Sequence, residues 1–557
     1  MMTALRARVT IIGAGPAGIV TAIELGRRGV PVIVLEEDAD PPRMPKANAT
    51  TARTMEHYRR LGFSRAIRSL GLPAQYRQDV AYFTRFATHE LARLPGSTRG
   101  DSERMRATAT SRWPTPEPLH RAQQMFIEPV LLAEALKYPS IDLRLGWRAT
   151  KIGRVGPATR IEAVRIDENA ALEIETDYLV GCEGPRSLTR GFMGAEYSGL
   201  REEEREFLGG RMLSIYFESP AFYAQCGHAP AWQYWALNPQ RRGIAVAIDG
   251  YSQFGAAVQL ARGQVPTESF ASECLALTMG RSFPHRIIAT AQWTAGYTLV
   301  ADRIQNSSVE PRTFLVGDSA HLFTPTGGQG YNTAVDDAAN LGWKLAAVCQ
   351  GWGGPHLLQT YEAERKPIAH RNTQFARAMA ESIGRLPVPP HIEDATKAGE
   401  EARRELGLHL KLHAEREFDI PGIHLGVVYS DSPIVANEGL PPPSDDWHQY
   451  LPNTTPGARA PHVWVSEDVS LFDRFGRDFT LVCTGRGNED NSSQLMAAAR
   501  SMRLPCEIIR ERSDEVRDIY GFDYVLVRPD HHIAWRGNTV PDDCRSLLRQ
   551  VTGYPAQ

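Results

Sequence analysis

The sequence predicts an α/β protein: a parallel, nucleotide-binding βαβ unit with a mainly antiparallel β-sheet inserted into it. Three observations predict it. A β-branched strand, a glycine-rich turn, a helix and a second strand follow one another within the first 36 residues. A second strand–glycine loop–helix arrangement starts at residue 313. Between them, residues 191–288 carry alternating, strand-like sequence, as at 212–217 and 243–248. With 557 residues, the chain is long enough for about three or four units.

The first unit is justified residue by residue. Residues 9–12 read as a buried strand. Residues 16–28 read as a helix with Ile19, Ala22, Ile23 and Gly26 at helical spacing, and 32–35 as a second strand ending at Glu36. Between strand and helix lies Gly13-Ala14-Gly15-Pro16-Ala17-Gly18, a G-x-G-x-x-G pattern. Gly13 permits the tight turn, Gly15 lets the backbone approach a pyrophosphate, and Gly18 lets helix and strand pack closely. The helix N-terminus offers N–H groups and a positive dipole end to the phosphates. Glu36 stands where an acid accepts hydrogen bonds from a ribose diol. An acid there, rather than arginines, favours an unphosphorylated ribose, and therefore FAD or NAD over NADP as the dinucleotide of this Rossmann-like unit.

Residues 313–316 form another buried-type strand, followed by Gly317-Asp318 and then by Pro325, Gly327, Gly328, Gln329, Gly330 and Asn332. A helix is expected from there to about residue 348. Asp318 can accept hydrogen bonds from a polyol, which the ribityl chain of FAD supplies and NAD lacks. The glycine loop brings backbone close to a flat ring, with a helix N-terminus behind it. A third piece, residues 177–187, again runs from strand to a Cys182-Glu183-Gly184-Pro185 turn.

Taken together, these pieces resemble the single-component FAD-dependent aromatic hydroxylases, the para-hydroxybenzoate and phenol hydroxylase group. Lys46-Ala47-Asn48 followed by Arg53-Thr54-Met55-Glu56 is similar to the family's flavin-side segment. Arg121, Gln124 and Glu128 are similar to its Arg-x-x-Gln-x-x-x-Glu element. Segments at 456–462, 526–530 and 534–536 resemble the thioredoxin-like α/β C-terminal domain of the phenol-hydroxylase branch. The resemblance implies an FAD-binding part at 1–190, with a substrate-domain excursion near 76–106, and a substrate sheet at 191–288. It further implies a second FAD-binding part at 289–375, a helical segment and linker at 376–440, and the thioredoxin-like domain at 441–557. It implies FAD contacts from Lys46, Ala47, Asn48, Arg121, Gln124, Gly328, Gln329, Gly330 and Asn332, with the Pro325 carbonyl facing substrate and flavin. NADPH or NADH is then a transient reductant without its own domain, and O₂ reacts at the flavin to give a hydroperoxide that hydroxylates a phenolic ring. Three departures stand out: Glu183 replaces the usual Asp, Lys46 replaces an Arg fork by a point charge, and Asn48 cannot supply the acid that phenol hydroxylases often carry there.

On the substrate side, Tyr216, His228 and Tyr234 are candidates to accept a phenolic proton. Their aromatic neighbourhood is read more readily as core than as pocket. Composition excludes other classes. With 62 basic and 65 acidic residues, the net charge of −3 offers no footprint for nucleic acid or an anionic membrane. The seven cysteines form no CxxC, so neither a zinc finger nor a dithiol is expected. The helical stretch 393–418 places His409 and His413 four apart, read as a solvated face, so no metal site is expected. His531-His532 reads as a turn between strands, and the run from Leu440 to Pro443 as a linker. Glycines, a proline and Glu24 interrupt the N-terminal apolar stretch, so a cytoplasmic protein is expected. The C-terminal domain is expected to pack or to support a homodimer. Alternative readings are a Baeyer–Villiger or epoxidising flavin enzyme, a flavin-dependent halogenase and a non-catalytic FAD-binding protein. Trp232 and Trp235 do not have the halogenase tryptophan spacing.

Overall fold

The computed structural model describes residues 5–105, 112–168, 170–201, 205, 207–439, 441–485 and 489–555. Leu440 of the expected linker lies outside the described residues, as do residues 1–4, 106, 556 and 557 at the edges of expected segments.

The sheet that positions the site runs in the order Ile141–Leu145, Val32–Glu36, Leu5–Ile12, Ala171–Gly181, Ala158–Arg165, Trp147–Val155. Its first four strands are parallel, and the last two turn back as an antiparallel extension. Thr313–Leu315 adds a further parallel strand against the C-terminal end of Ala171–Gly181. Ile12 therefore lies between Leu35 and Gly181, so the three glycine-bearing turns emerge side by side. Ligands of open parallel sheets bind at such carboxyl ends. Val9, Ile11 and Val34 are fully buried, and the helices Pro16–Gly26 and Gln329–Gln350 pack with them in one core.

The second sheet has seven strands, ordered Arg286–Ala295, Gly210–Glu218, Gln253–Gln259, Gly243–Ala247, Gln233–Ala236, Val80–Phe83, Glu90–Leu94. It is antiparallel except where Gln233–Ala236 pairs with Val80–Phe83. The chain thus enters this sheet once early and again after residue 210, and its last strand continues past residue 288. One face, with Phe217, Tyr234 and Phe254, packs on Phe222, Phe283 and the helix Glu268–Met279. The other face looks into the cavity described below.

The C-terminal sheet runs Cys506–Arg510, Phe479–Cys483, Tyr524–Val527, Ile533–Gly537, with helices Glu489–Ser501, Asp514–Tyr520 and Cys544–Val551. Its apolar core is continuous with Trp343 and Ala347 of the helix Gln329–Gln350 and with Trp352 and Leu357 just after it. Buried charges cross the same boundary. Arg528 donates to both Glu364 carboxylate oxygens at 2.7 and 2.8 Å, Lys344 donates to Glu364 at 2.7 Å, and Trp343 Nε1 donates to Asp530 at 3.1 Å.

The helix expected at 393–418 spans Lys397–Phe418. It corrects the solvated reading for His413 alone. His409 is exposed, but His413 is buried, edge-on to the Tyr82 ring and 2.8 Å from Glu417. No group of three potential metal ligands occurs among the described residues, and no described helix is long and apolar enough to cross a membrane.

Candidate active site

The three glycine turns and the free face of the second sheet enclose a cavity of about 1260 Å³. Pockets for one drug-sized ligand measure roughly 300–1,000 Å³, so this larger cavity leaves room for a second flat molecule beside a dinucleotide.

At its first end, Gly13 has φ +99°, and a side chain there would strike the Cys182 carbonyl oxygen at 2.4 Å. Gly18 sits so close to the Gly13 carbonyl that a Cβ would approach within 1.9 Å. Above Gly15 a Cβ would meet nothing within 4 Å, which leaves the approach to its backbone open. No side chain caps the helix that starts at Pro16, so its N–H groups are available to an anion. Glu36 accepts from the Ala14 N–H at 2.6 Å and the Asp38 N–H at 3.0 Å. Burial raises its pKa against the pull of those two donors. The carboxylate therefore both ties the turn to the second strand and keeps lone pairs for a diol.

Asp318 lies in the turn Gly317–Ser319, and its carboxylate is accessible from the cavity although the fold encloses it. That enclosure raises its pKa, with His321 and Lys46 opposing. No hydrogen bond or ion pair engages this carboxylate among the described residues. An unpaired acid facing a cavity suits a polyol donor. The turn is held from behind: Tyr197 donates to the Asp318 carbonyl, Arg190 donates to the Ser319 carbonyl at 3.1 Å, and Arg190 stacks on Tyr197. Glu183 is spent locally. It accepts from Ser187 at 2.8 Å and from the Thr189 N–H at 2.9 Å, and so supports the Ser187 cap of the short helix Leu188–Met193.

The loop from Pro325 to Gly330 is fixed from several sides. Gly327 has φ +71°, its N–H donates to Glu417 at 2.9 Å, and Thr326 donates to the Ala376 carbonyl. Gln329 donates to the Gly327 carbonyl at 2.7 Å. The helix Gln329–Gln350 begins without a side-chain cap, leaving its N-terminus to a ligand. Lys46, Ala47, Asn48 and Gln124 line the same cavity, and Gln124 N–H donates to the Ala47 carbonyl at 2.8 Å. These open N–H groups, the free Asp318 carboxylate and the space over Gly15 fit FAD.

Two expected cofactor residues sit behind the wall. Gly18 serves packing, as its close approach requires. Asn332 does not line the cavity. It donates to the Gly328 and Ala49 carbonyls at 2.7 and 2.9 Å and accepts from the Thr51 N–H at 2.8 Å, which clamps two cavity loops together.

The second end is aromatic and mostly apolar. Tyr216, Trp235, Ile244, Val246 and Trp293 project from alternate positions of their strands, joined by Trp232, Phe323 and Phe418. Of the three expected proton acceptors, only Tyr216 lines this space. Its hydroxyl donates to Gln253 at 2.6 Å, and burial raises its pKa, so it stays protonated at neutral pH. Tyr234 faces the opposite side of the sheet, where its hydroxyl accepts the Ala231 N–H at 2.7 Å. His228 sits outside, bonded to the Thr88 carbonyl at 2.8 Å. Period-2 alternation removes Tyr234 from the site, and His228 packs on the Phe83 ring beside the same far face of the sheet. Sequence reasoning missed Glu417, His424 and Trp293. The first two come from segments with no motif, and only alternation within residues 286–295 could have pointed to Trp293.

Comparison with known proteins agrees with this geometry. An FAD-binding domain family model matches residues 6–376, and a model described as the aromatic-ring hydroxylase C-terminal domain matches residues 453–555. The chain is 30% identical to an FAD-dependent monooxygenase, opdD, of Penicillium oxalicum, over 91% of this chain and 99% of that one. It is 27% identical to a 2,4-dichlorophenol 6-monooxygenase of Delftia acidovorans, covering 99% of this chain and 98% of that one. A solved structure of RebC, soaked with chromopyrrolic acid and holding 7-carboxy-K252c, superposes with a TM-score of 0.88 at 30% identity. It covers 99% of this chain and 100% of that one.

Proposed function

Because this chain belongs to the FAD-dependent aromatic-ring hydroxylases, which use NAD(P)H as reductant, we propose that it hydroxylates a phenolic ring held against the Pro325–Gly330 loop. The observation that carries this reading is the shape of the cavity, with a dinucleotide cradle at one end and a wall of indole and phenol rings at the other.

Bound FAD, reduced by NAD(P)H, supplies the oxygen-activating chemistry, and the chain's residues do the rest. Gly13 to Ala17 and the helix N-terminus behind them would hold the pyrophosphate, Glu36 the ribose and Asp318 the ribityl hydroxyls. Lys46, Ala47, Asn48 and Gln124 would flank the ring system, and the uncapped start of the helix at Gln329 would present backbone N–H groups to it. The aromatic wall excludes water and orients the substrate ring. Pro325 lines the cavity, and its carbonyl, which accepts the Gly328 N–H at 3.2 Å, keeps a second lone pair that would accept a substrate hydroxyl.

Dioxygen as co-substrate, a homodimeric assembly and a cytoplasmic location belong to the same proposal, and seven unpaired cysteines support the last. The relative from Delftia acidovorans is named for a chlorinated phenol, which supports the phenolic class. The test is a panel of phenols added to the yellow holoenzyme with NADPH or NADH. Phenol-stimulated oxidation of the reductant is expected. A holoenzyme that no phenol stimulates, but that oxygenates a ketone or an alkene, would overturn the reading.

A further inference from the structure

Arg121 occupies an unusual position for a guanidinium. It lines the cavity, and its guanidinium carbon lies 3.6 Å from the centroid of the Trp232 ring, which in turn meets Phe418 edge-on. Stacking covers the flat face of the group and leaves its N–H edge directed away from the ring. That edge has no acceptor. No hydrogen bond or ion pair to the Arg121 guanidinium occurs among the described residues, and its buried Nε is unpartnered.

The buried arginines of the protein's interior behave differently. Arg365 pairs with Asp336 and Asp337, Arg459 with Glu56, and Arg528 with Glu364 and Asp530. Such pairing is the rule because an isolated buried charge is costly. The groups facing Arg121 do not neutralise it by contact. Glu417 acts on it through space, but one oxygen of Glu417 holds the Gly327 N–H at 2.9 Å and the other lies 2.8 Å from His413. His424, also on the cavity wall, is held uncharged by burial and by Arg121 itself, its pKa pushed down to about 3.

We propose that Arg121 is a substrate-docking residue whose N–H edge binds a carboxylate carried by the aromatic substrate, rather than a contact to FAD. The planar fork matches a carboxylate with two parallel hydrogen bonds, and the Trp232 indole holds the fork in register beside the aromatic wall. The inference rests on the hydroxylase reading and names its substrate class: aromatic acids.

The experiment is a titration of the holoenzyme, followed by flavin absorbance, with a hydroxynaphthoate and with its methyl ester. The wild type is expected to bind the acid about tenfold or more tightly than the ester, the scale of a charge-assisted pair. Arg121→Met should abolish that preference while retaining flavin, and Arg121→Lys should keep part of it as a point charge. Equal binding of acid and ester by the wild type, or a preference that survives in R121M, overturns the proposal. Loss of flavin from a folded R121M also overturns it, and assigns the residue to the cofactor. Stimulation of NAD(P)H oxidation by the phenol panel, hydroxynaphthoates included, is read separately: its absence throughout sinks the hydroxylase reading, and its presence without an acid preference sinks only the role of Arg121.

Discussion

The Glu417 carboxylate accepts the Gly327 N–H at 2.9 Å, so the last turn of a helix 90 residues downstream fixes the glycine loop at the cavity's centre. Removing that acceptor frees a backbone donor where the loop must stay shaped for a ring. We predict that Glu417→Ala weakens FAD binding by about tenfold, the scale of a hydrogen bond to a charged group. Glu417→Gln, which keeps an acceptor, should lose less. Fluorescence of released flavin measures both.

Glu36 makes a sharper case, because one carboxylate serves the turn and the ligand. Its bonds to the Ala14 and Asp38 N–H groups hold the glycine turn closed. Glu36→Ala should raise the FAD dissociation constant by more than about a hundredfold, two interactions of roughly 1.5–3 kcal/mol each being lost. Equal flavin retention by wild type and variant would remove Glu36 from the site.

Acid should unfold the protein earlier than its carboxylates alone would require. Burial holds His57 and His532 down to about 4, and His120, His424 and His462 to about 3. Each folded value lies below the unfolded value of about 6.5, so stability is full above that pH and falls as pH drops toward the folded values. Glu24 and Glu56 follow at lower pH. Burial would raise them, but Arg60 and Arg28 around Glu24, and Arg459 and Arg53 around Glu56, bring both down to about 2. Their contribution is present above about 4.5 and is lost toward 2. Thermal scans should show Tm falling from about pH 6 downward, and a flat Tm to pH 4.5 would contradict this.

The C-terminal domain is expected to be indispensable to the flavin core. Cutting the chain before Pro441 would leave Trp343 uncovered and Lys344 and Glu364 without Arg528. Glu364→Ala in the full chain should cost about 3–5 kcal/mol, as for a buried charge left unpaired. Chemical denaturation measures the substitution. A truncated protein that stays folded and yellow would contradict the domain's role.

How much of this could be read in the sequence depends on how local each constraint is. Gly13, Gly18 and Glu36 act within one βαβ unit, and their spacing alone carries the chemistry. Asp318 was legible for the same reason, since it directly follows a buried strand. Asn332 was found by its motif, but its clamp between Gly328 and Thr51 joins loops about 280 residues apart in sequence, beyond what spacing shows. The aromatic wall was legible as composition and not as a face. Alternation says that Tyr234 and Trp235 point opposite ways, but only the neighbouring sheet decides which of them meets the cavity. Glu417 and His424 carry no local signature, because the charged helix acquires its role only by docking against Gly327, and the short helix Pro421–Leu425 only by packing on the helix Ala52–Leu61.

Insertion of oxygen into an aromatic ring is read by mass spectrometry of the product formed from a stimulating phenol under isotopically labelled dioxygen with NAD(P)H. One labelled oxygen atom on the ring of the product is expected for each reductant consumed in coupled turnover. Reductant oxidised with unlabelled, unchanged phenol recovered throughout the panel would contradict it.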